Sequence, residues 1–183
     1  MKTKLIILAA VVGLQSAWIL GTTAVQEQSL AHGKVVLLDT RPVDPRDLLR
    51  GDYVILEYTI NSIPWSKFSP ALTNDLPNGE TVYVLLEQQG AFYQVTQAST
   101  EPIAGDPDHP VLRGLSAYSW RTRTNSTRVE YGLERYYVPE GTGNPTGKLT
   151  AEVAIPASGH GIIKQVYING RPYRAAMREK QTR

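Results

Sequence analysis

The chain of 183 residues contains no cysteine. That excludes disulfides, thiol nucleophiles, iron–sulfur clusters and cysteine-based zinc sites. Strong charge of one sign is also missing: the formal net charge is +2, which gives no general case for nucleic-acid binding. Histidine is scarce, with His32, His109 and His160 as the full set, and no His-Glu-x-x-His, Gly-x-Ser-x-Gly or phosphate-loop pattern appears. Repeats and low-complexity tracts are absent. What remains, with 42% hydrophobic and 20% charged residues, suits one globular domain with a real core.

The chain opens Met1-Lys2-Thr3-Lys4 and then runs from Leu5 to Val25 without a charge. A helix of that length spans the roughly 30 Å hydrocarbon core of a bilayer. Lys2 and Lys4 precede the stretch and Glu27 is the first charge after it, so the positive-inside bias places the N-terminus in the cytoplasm. A cleaved signal peptide is the competing reading, with Gly21-Thr22-Thr23-Ala24 as the small-residue end. Either reading exports residues 26–183. The expected organisation is a membrane anchor or signal peptide at 1–25, a polar linker at 26–33, a β-rich domain at 34–173 and a basic tail at 174–183. The domain is expected to be extracytoplasmic, periplasmic or on the cell surface.

Strand signals dominate the exported part. Lys34–Thr40 is rich in β-branched residues. Asp52–Ile60 alternates with period two, which predicts Val54, Leu56, Tyr58 and Ile60 on a buried face. Thr81–Leu86 and Phe92–Ala98 flank Gln88-Gln89-Gly90, a predicted hairpin turn. Val111–Thr122 with Thr127–Tyr131, and Leu149–Ile155 with Ile162–Ile168, form two more candidate hairpins; Asn169-Gly170 marks a tight turn. Helical turns are predicted at Pro45–Leu49, Pro64–Ser69 and Gly132–Tyr136. Many short strands between Gly- and Pro-rich loops predict a mainly β fold, a barrel or a sandwich-like domain. Charge divides along the chain: residues 26–110 carry a net −7 and residues 111–183 a net +7. The last residues, with Arg171, Arg174, Arg178, Lys180 and Arg183, read as a solvated, partly frayed tail.

Residues 41–58 carry the most distinctive pattern. Asp44 is placed to cap a turn that starts at Pro45, and Gly51 gives an elbow before the strand. This reading is complete without a ligand. The functional reading makes Arg41, Arg46, Asp47, Arg50 and Asp52 a surface cluster for a partner. Gly51-Asp52-Tyr53-Val54-Ile55-Leu56-Glu57-Tyr58 resembles the eight-residue pattern that names the GDYxxLxY family. Tyr131-Gly132-Leu133-Glu134-Arg135-Tyr136-Tyr137-Val138-Pro139-Glu140-Gly141 resembles a second part of that family. The resemblance implies a bacterial membrane-anchored protein, accompanied in some cases by multi-spanning membrane proteins, and it implies no reaction. The chain also resembles, more distantly, the signal peptidases, in a Pro-containing turn before a Gly-Asp strand and a later Val-Pro-Glu-Gly. Their nucleophilic serine would fall on Pro42, and no serine lies between Ser29 and Ser62, so the catalytic pattern fails.

Other chemistry is thin. Asp106-Pro107-Asp108-His109 has the look of a loose ligand loop. Ser116 and Ser119 with Lys67, Lys148 or Lys164, and Glu134 with Glu140, are the available pairs for hydrolysis. The leading expectation is a non-catalytic accessory or scaffold domain that binds an inner-membrane protein. Its contact surface would combine the Arg41–Asp52 loop with the Glu134–Gly141 turn, provided that the fold brings the two together. No cofactor, metal or nucleic acid is expected; the bilayer is contacted through residues 5–25. The alternatives are an envelope hydrolase acting on peptide or glycan, and a small-ligand or ion binder.

Overall fold

Alternation of apolar and polar residues builds most of the molecule. In the computed structural model, which describes residues 2–41, 53–118, 125–138 and 147–181, strands outweigh helices. A long helix α1 (Lys2–His32) leads into β1 (Lys34–Asp39). There follow β2 (Tyr53–Ile55), β3 (Ser62–Pro64), β4 (Thr81–Gln89), β5 (Phe92–Ser99), β6 (Val111–Ala117), β7 (Ser126–Glu130), β8 (Arg135–Tyr137), β9 (Leu149–Ile155), β10 (Ile162–Ile168), β11 (Arg171–Pro172) and α2 (Tyr173–Gln181).

The strands form three antiparallel sheets, in the orders β1-β9-β10-β11, β3-β7-β6-β4-β5 and β2-β8. Their inward residues share one core. Val36 and Leu38 of β1, Val82, Val84 and Leu86 of β4, and Ala151 and Val153 of β9 are all essentially buried. Each fully buried aliphatic side chain contributes roughly 1.5–3 kcal/mol over an exposed one. The expected barrel is not formed. The sheets are open among the described residues: β1 lies alongside β5 with no ladder joining them.

The predicted face of Val54, Leu56, Tyr58 and Ile60 is buried throughout, at 1% exposure or less. The strand itself is shorter than expected. The Asn61 side chain captures the Tyr58 N–H at 2.6 Å, and the backbone tightens into a single 3₁₀ turn over Thr59–Asn61. The β9–β10 hairpin has the expected limits. In the β4–β5 hairpin the ladder extends through Gln89 opposite Phe92, so the turn is Gly90-Ala91 and not Gln88-Gln89-Gly90. Asn169 and Gly170 both take positive φ, at 49° and 77°, and close a two-residue connection between β10 and β11. A turn at Trp65–Lys67 falls within the predicted helical stretch, whereas Gly132–Tyr136 is not helical: β8 is drawn out by pairing with β2. The Pro45–Leu49 turn lies outside the described residues.

Both ends differ from expectation. The linker at 26–33 is helical as far as His32, continuous with the apolar stretch. The described part of the basic tail is helical: α2 places Tyr173 and Met177 in the core, with Ala176 half-buried beside them. Their spacing of three and four residues is one face of a helix.

Candidate functional site

The described parts of the two family motifs, from Tyr53 and from Tyr131 onward, meet. β2 and β8 pair in register, with Tyr53 opposite Tyr137, Val54 opposite Tyr136 and Ile55 opposite Arg135. The Leu56 N–H extends the pairing to the Glu134 carbonyl at 2.8 Å. On the other edge of the same segment the Arg41 N–H donates to the Glu57 carbonyl at 2.7 Å, next to a bridge between Thr40 and Tyr58. The segment from Tyr53 to Tyr58 therefore joins the end of β1 to β8.

Below this surface lies a buried polar lattice. The Tyr58 hydroxyl donates to the Leu133 carbonyl at 3.0 Å, and the Tyr131 hydroxyl to the Ile60 carbonyl at 2.8 Å. The Asn61 amide donates to the Val129 carbonyl at 2.7 Å and to Glu134 Oε1 at 3.0 Å. Glu134 Oε1 also accepts the Tyr131 N–H at 2.7 Å. Burial pushes both phenols far above the ordinary tyrosine range, and the nearby Glu134 carboxylate pushes them further. These hydrogen bonds pair the groups with one another, and the lattice clamps the two motifs together.

The signature thus divides by face. Leu56 and Tyr58, expected within the contact surface, are fully buried, and Glu134 is half-buried and engaged by Tyr131 and Asn61. Strand alternation puts Tyr53, Arg135 and Tyr137 on the opposite, outward face. The Arg135 guanidinium lies 5.3 Å from the Tyr53 ring centre, and the Tyr53 and Tyr137 rings are 6.0 Å apart. Tyr137 is 70% exposed. Tyr136 points the other way and meets Tyr173 of α2 edge-on at 5.5 Å. Arg41 is exposed. Asp44, Pro45, Arg46, Asp47, Arg50, Gly51, Asp52, Pro139, Glu140 and Gly141 lie outside the described residues. Asn61, 73 positions from the Glu134 carboxylate, carries no local signal of its role, whereas Tyr131, which shares that carboxylate, opens the second motif only 3 positions before it.

Of the remaining candidates, Ser119 lies outside the described residues, Lys164 is exposed, and the others are engaged elsewhere. The Ser116 hydroxyl donates to the Pro77 carbonyl and Lys67 to the Val95 carbonyl. Lys148 pairs with Asp39 at 3.0 Å. Asp106 is held by its own loop: Oδ1 accepts the N–H groups of Asp108 and His109 at 2.8 and 2.7 Å, and the His109 ring lies 2.9 Å from Oδ2. Among the described residues no group of three or more metal-ligating side chains comes together.

An apolar N-terminal helix followed by a mainly β domain, with two aromatic motifs joined as one strand pair, defines the class. A family model described as GDYXXLXY protein matches residues 15–166, and the chain belongs to that family. Comparison with curated proteins and with solved structures gives no match. The signal-peptidase resemblance gains no support from these comparisons.

Proposed function

We propose that this protein is a single-pass membrane protein, with its N-terminus in the cytoplasm, whose extracytoplasmic domain docks a membrane-protein partner without catalysis. The docking face is the outward side of β2 and β8, with Tyr53, Arg135 and Tyr137 at its centre and Arg41 at its edge. One observation carries this reading: of the described signature positions, Leu56 and Tyr58 serve the core, while Tyr53 stands outside it under an arginine and beside a largely exposed tyrosine. Tyrosine and arginine are the residue types that dominate binding hot spots. The anchor is supported by Ile6–Val25, a 20-residue stretch long and apolar enough to cross a bilayer.

The test is a crosslinked pull-down from native membranes, comparing wild type with Arg135→Ala and Tyr137→Ala after each variant has been checked for folding. Loss of a specific membrane protein from the folded variants supports the reading. A partner retained by both variants, or no partner for wild type, defeats it.

A further inference from the structure

Covalent connection fixes which end of the domain faces the bilayer. α1 ends at His32, and β1 begins at Lys34 opposite Ile155, the last residue of β9. The β9–β10 connection, residues 156–161, therefore leaves the sheet where the helix enters it. Its course is pinned on β6: the Arg113 N–H donates to the Gly159 carbonyl at 2.8 Å, and a Cβ at Gly161 would meet Leu112 Cδ1 at 2.9 Å. The connection rises beside the helix. Pro156, His160 and Ile162 face Trp18, Thr22 and Val25 across an open groove of about 600 Å³.

The helix wall of this groove belongs to the apolar stretch Ile6–Val25, so its occupant shares that stretch's solvent, the acyl chains. Two cations stand behind the domain wall, outside the groove's own lining. The Arg113 guanidinium lies 3.5 Å from His160 Nε2, and Lys34 lines an adjoining cavity that shares Pro156 and Ser158 with the groove. Asp106 lines that adjoining cavity too, but its carboxylate is committed to His109 and to the loop N–H groups. Basic groups beside an apolar slot at the end of such a helix match a phosphate joined to its acyl chains. We propose that the groove between α1 and the β9–β10 connection binds an anionic phospholipid of the bilayer that α1 crosses. The acyl chain lies against Trp18, Val25 and Ile162, and the phosphate meets Arg113 and His160. The inference rests on reading α1 as a membrane span, and it seats the domain on the outer leaflet rather than on a free tether.

Because the chain has no cysteine, single labels are clean. The full chain carrying Leu14→Cys, Ser158→Cys or Arg174→Cys is labelled with a fluorophore. It is placed in phosphatidylcholine–phosphatidylglycerol vesicles with quenchers at acyl or headgroup depth. The expected result is acyl-depth quenching at position 14, strong headgroup-depth quenching at 158, and little at 174, on α2 at the far end of the sheet. Quenching at 14 with none at 158 above that at 174 overturns the proposal and leaves the anchor standing. No quenching at 14 overturns both. Lipid co-isolated from discs holding equal amounts of the two lipids is then counted. Phosphatidylglycerol should be enriched about fivefold, the factor conferred by one surface cation. It should return toward the bulk ratio in Arg113→Gln and His160→Gln. A bulk ratio for wild type, or enrichment unchanged in both folded variants, overturns the headgroup assignment.

Discussion

The Tyr58 hydroxyl reaches across 75 positions of sequence to the Leu133 carbonyl, and this 3.0 Å bond ties the end of one family motif to the start of the other. The Leu133 carbonyl has no water to fall back on there, since Tyr58 is fully buried and Leu133 nearly so. Tyr58→Phe keeps the ring and removes the donor. It should lower the unfolding free energy by about 1–3 kcal/mol, the usual cost of a buried acceptor left unpaired. Urea unfolding of the full chain checks this, and a midpoint equal to wild type would show that the bond contributes nothing.

Gly114 in β6 has no room for a side chain. A Cβ there would meet Val129 Cγ1 at 2.6 Å, the Glu130 carbonyl at 2.8 Å and the Tyr131 ring at 2.9 Å. Gly114→Ala should destabilise by about 1–3 kcal/mol, as overpacking does. It should also disturb the Tyr131–Ile60 bond, visible as faster amide exchange around Glu134. Gly90→Ala tests a different cost: nothing crowds its Cβ, and only its φ of 67° is strained. The loss there should stay near 1 kcal/mol.

Met177 is 5% exposed although four of its close sequence neighbours are charged. If α2 is part of the core, Met177→Ala should cost about 2–5 kcal/mol, and Arg174→Ala, on the exposed side, should cost almost nothing. Equal, small effects for both would return these residues to the status of a tail.

The His109–Asp106 pair should make the 101–110 loop sensitive to pH. The hydrogen bond to Asp106 raises His109 above its ordinary value of 6.5, and the same bond lowers Asp106 below 3.8. The histidine's contribution is complete below pH 6.5 and is lost as pH rises through its raised folded value. The carboxylate's contribution is complete above pH 3.8 and is lost as pH falls through its lowered one. Amide protection of Asp108 and His109 should therefore be greatest between these limits. In Asp106→Asn, the His109 resonance should titrate nearer 6.5; an unshifted titration would reject the pairing.

Much of the fold was legible because period-two burial is a local signal. The Val54–Ile60 face and the β9–β10 hairpin follow from residue order alone. The misreadings share a cause in non-local contacts. The β8 sequence suits a helical turn, since nothing near Gly132–Tyr136 in sequence reveals β2 as its partner. The α2 sequence suits a tail, since its charges outnumber the three apolar residues that make its buried face. The candidate site was half legible: the motifs named the strands that meet, while the division into a buried clamp and an outward tyrosine–arginine face needed the register of β2 against β8.

The pairing of β1 with β9 has a kinetic consequence. Thr40, just past β1, bonds the Leu149 carbonyl 109 positions later. At a synthesis rate of about 5–20 residues per second, β1 therefore waits roughly 5–20 s before β9, its only ladder partner among the described residues, emerges. Through that interval a β-branched edge strand is left unpaired. Folding of this sheet is necessarily a late event, and the nascent chain is most exposed to misassociation or proteolysis just before it closes.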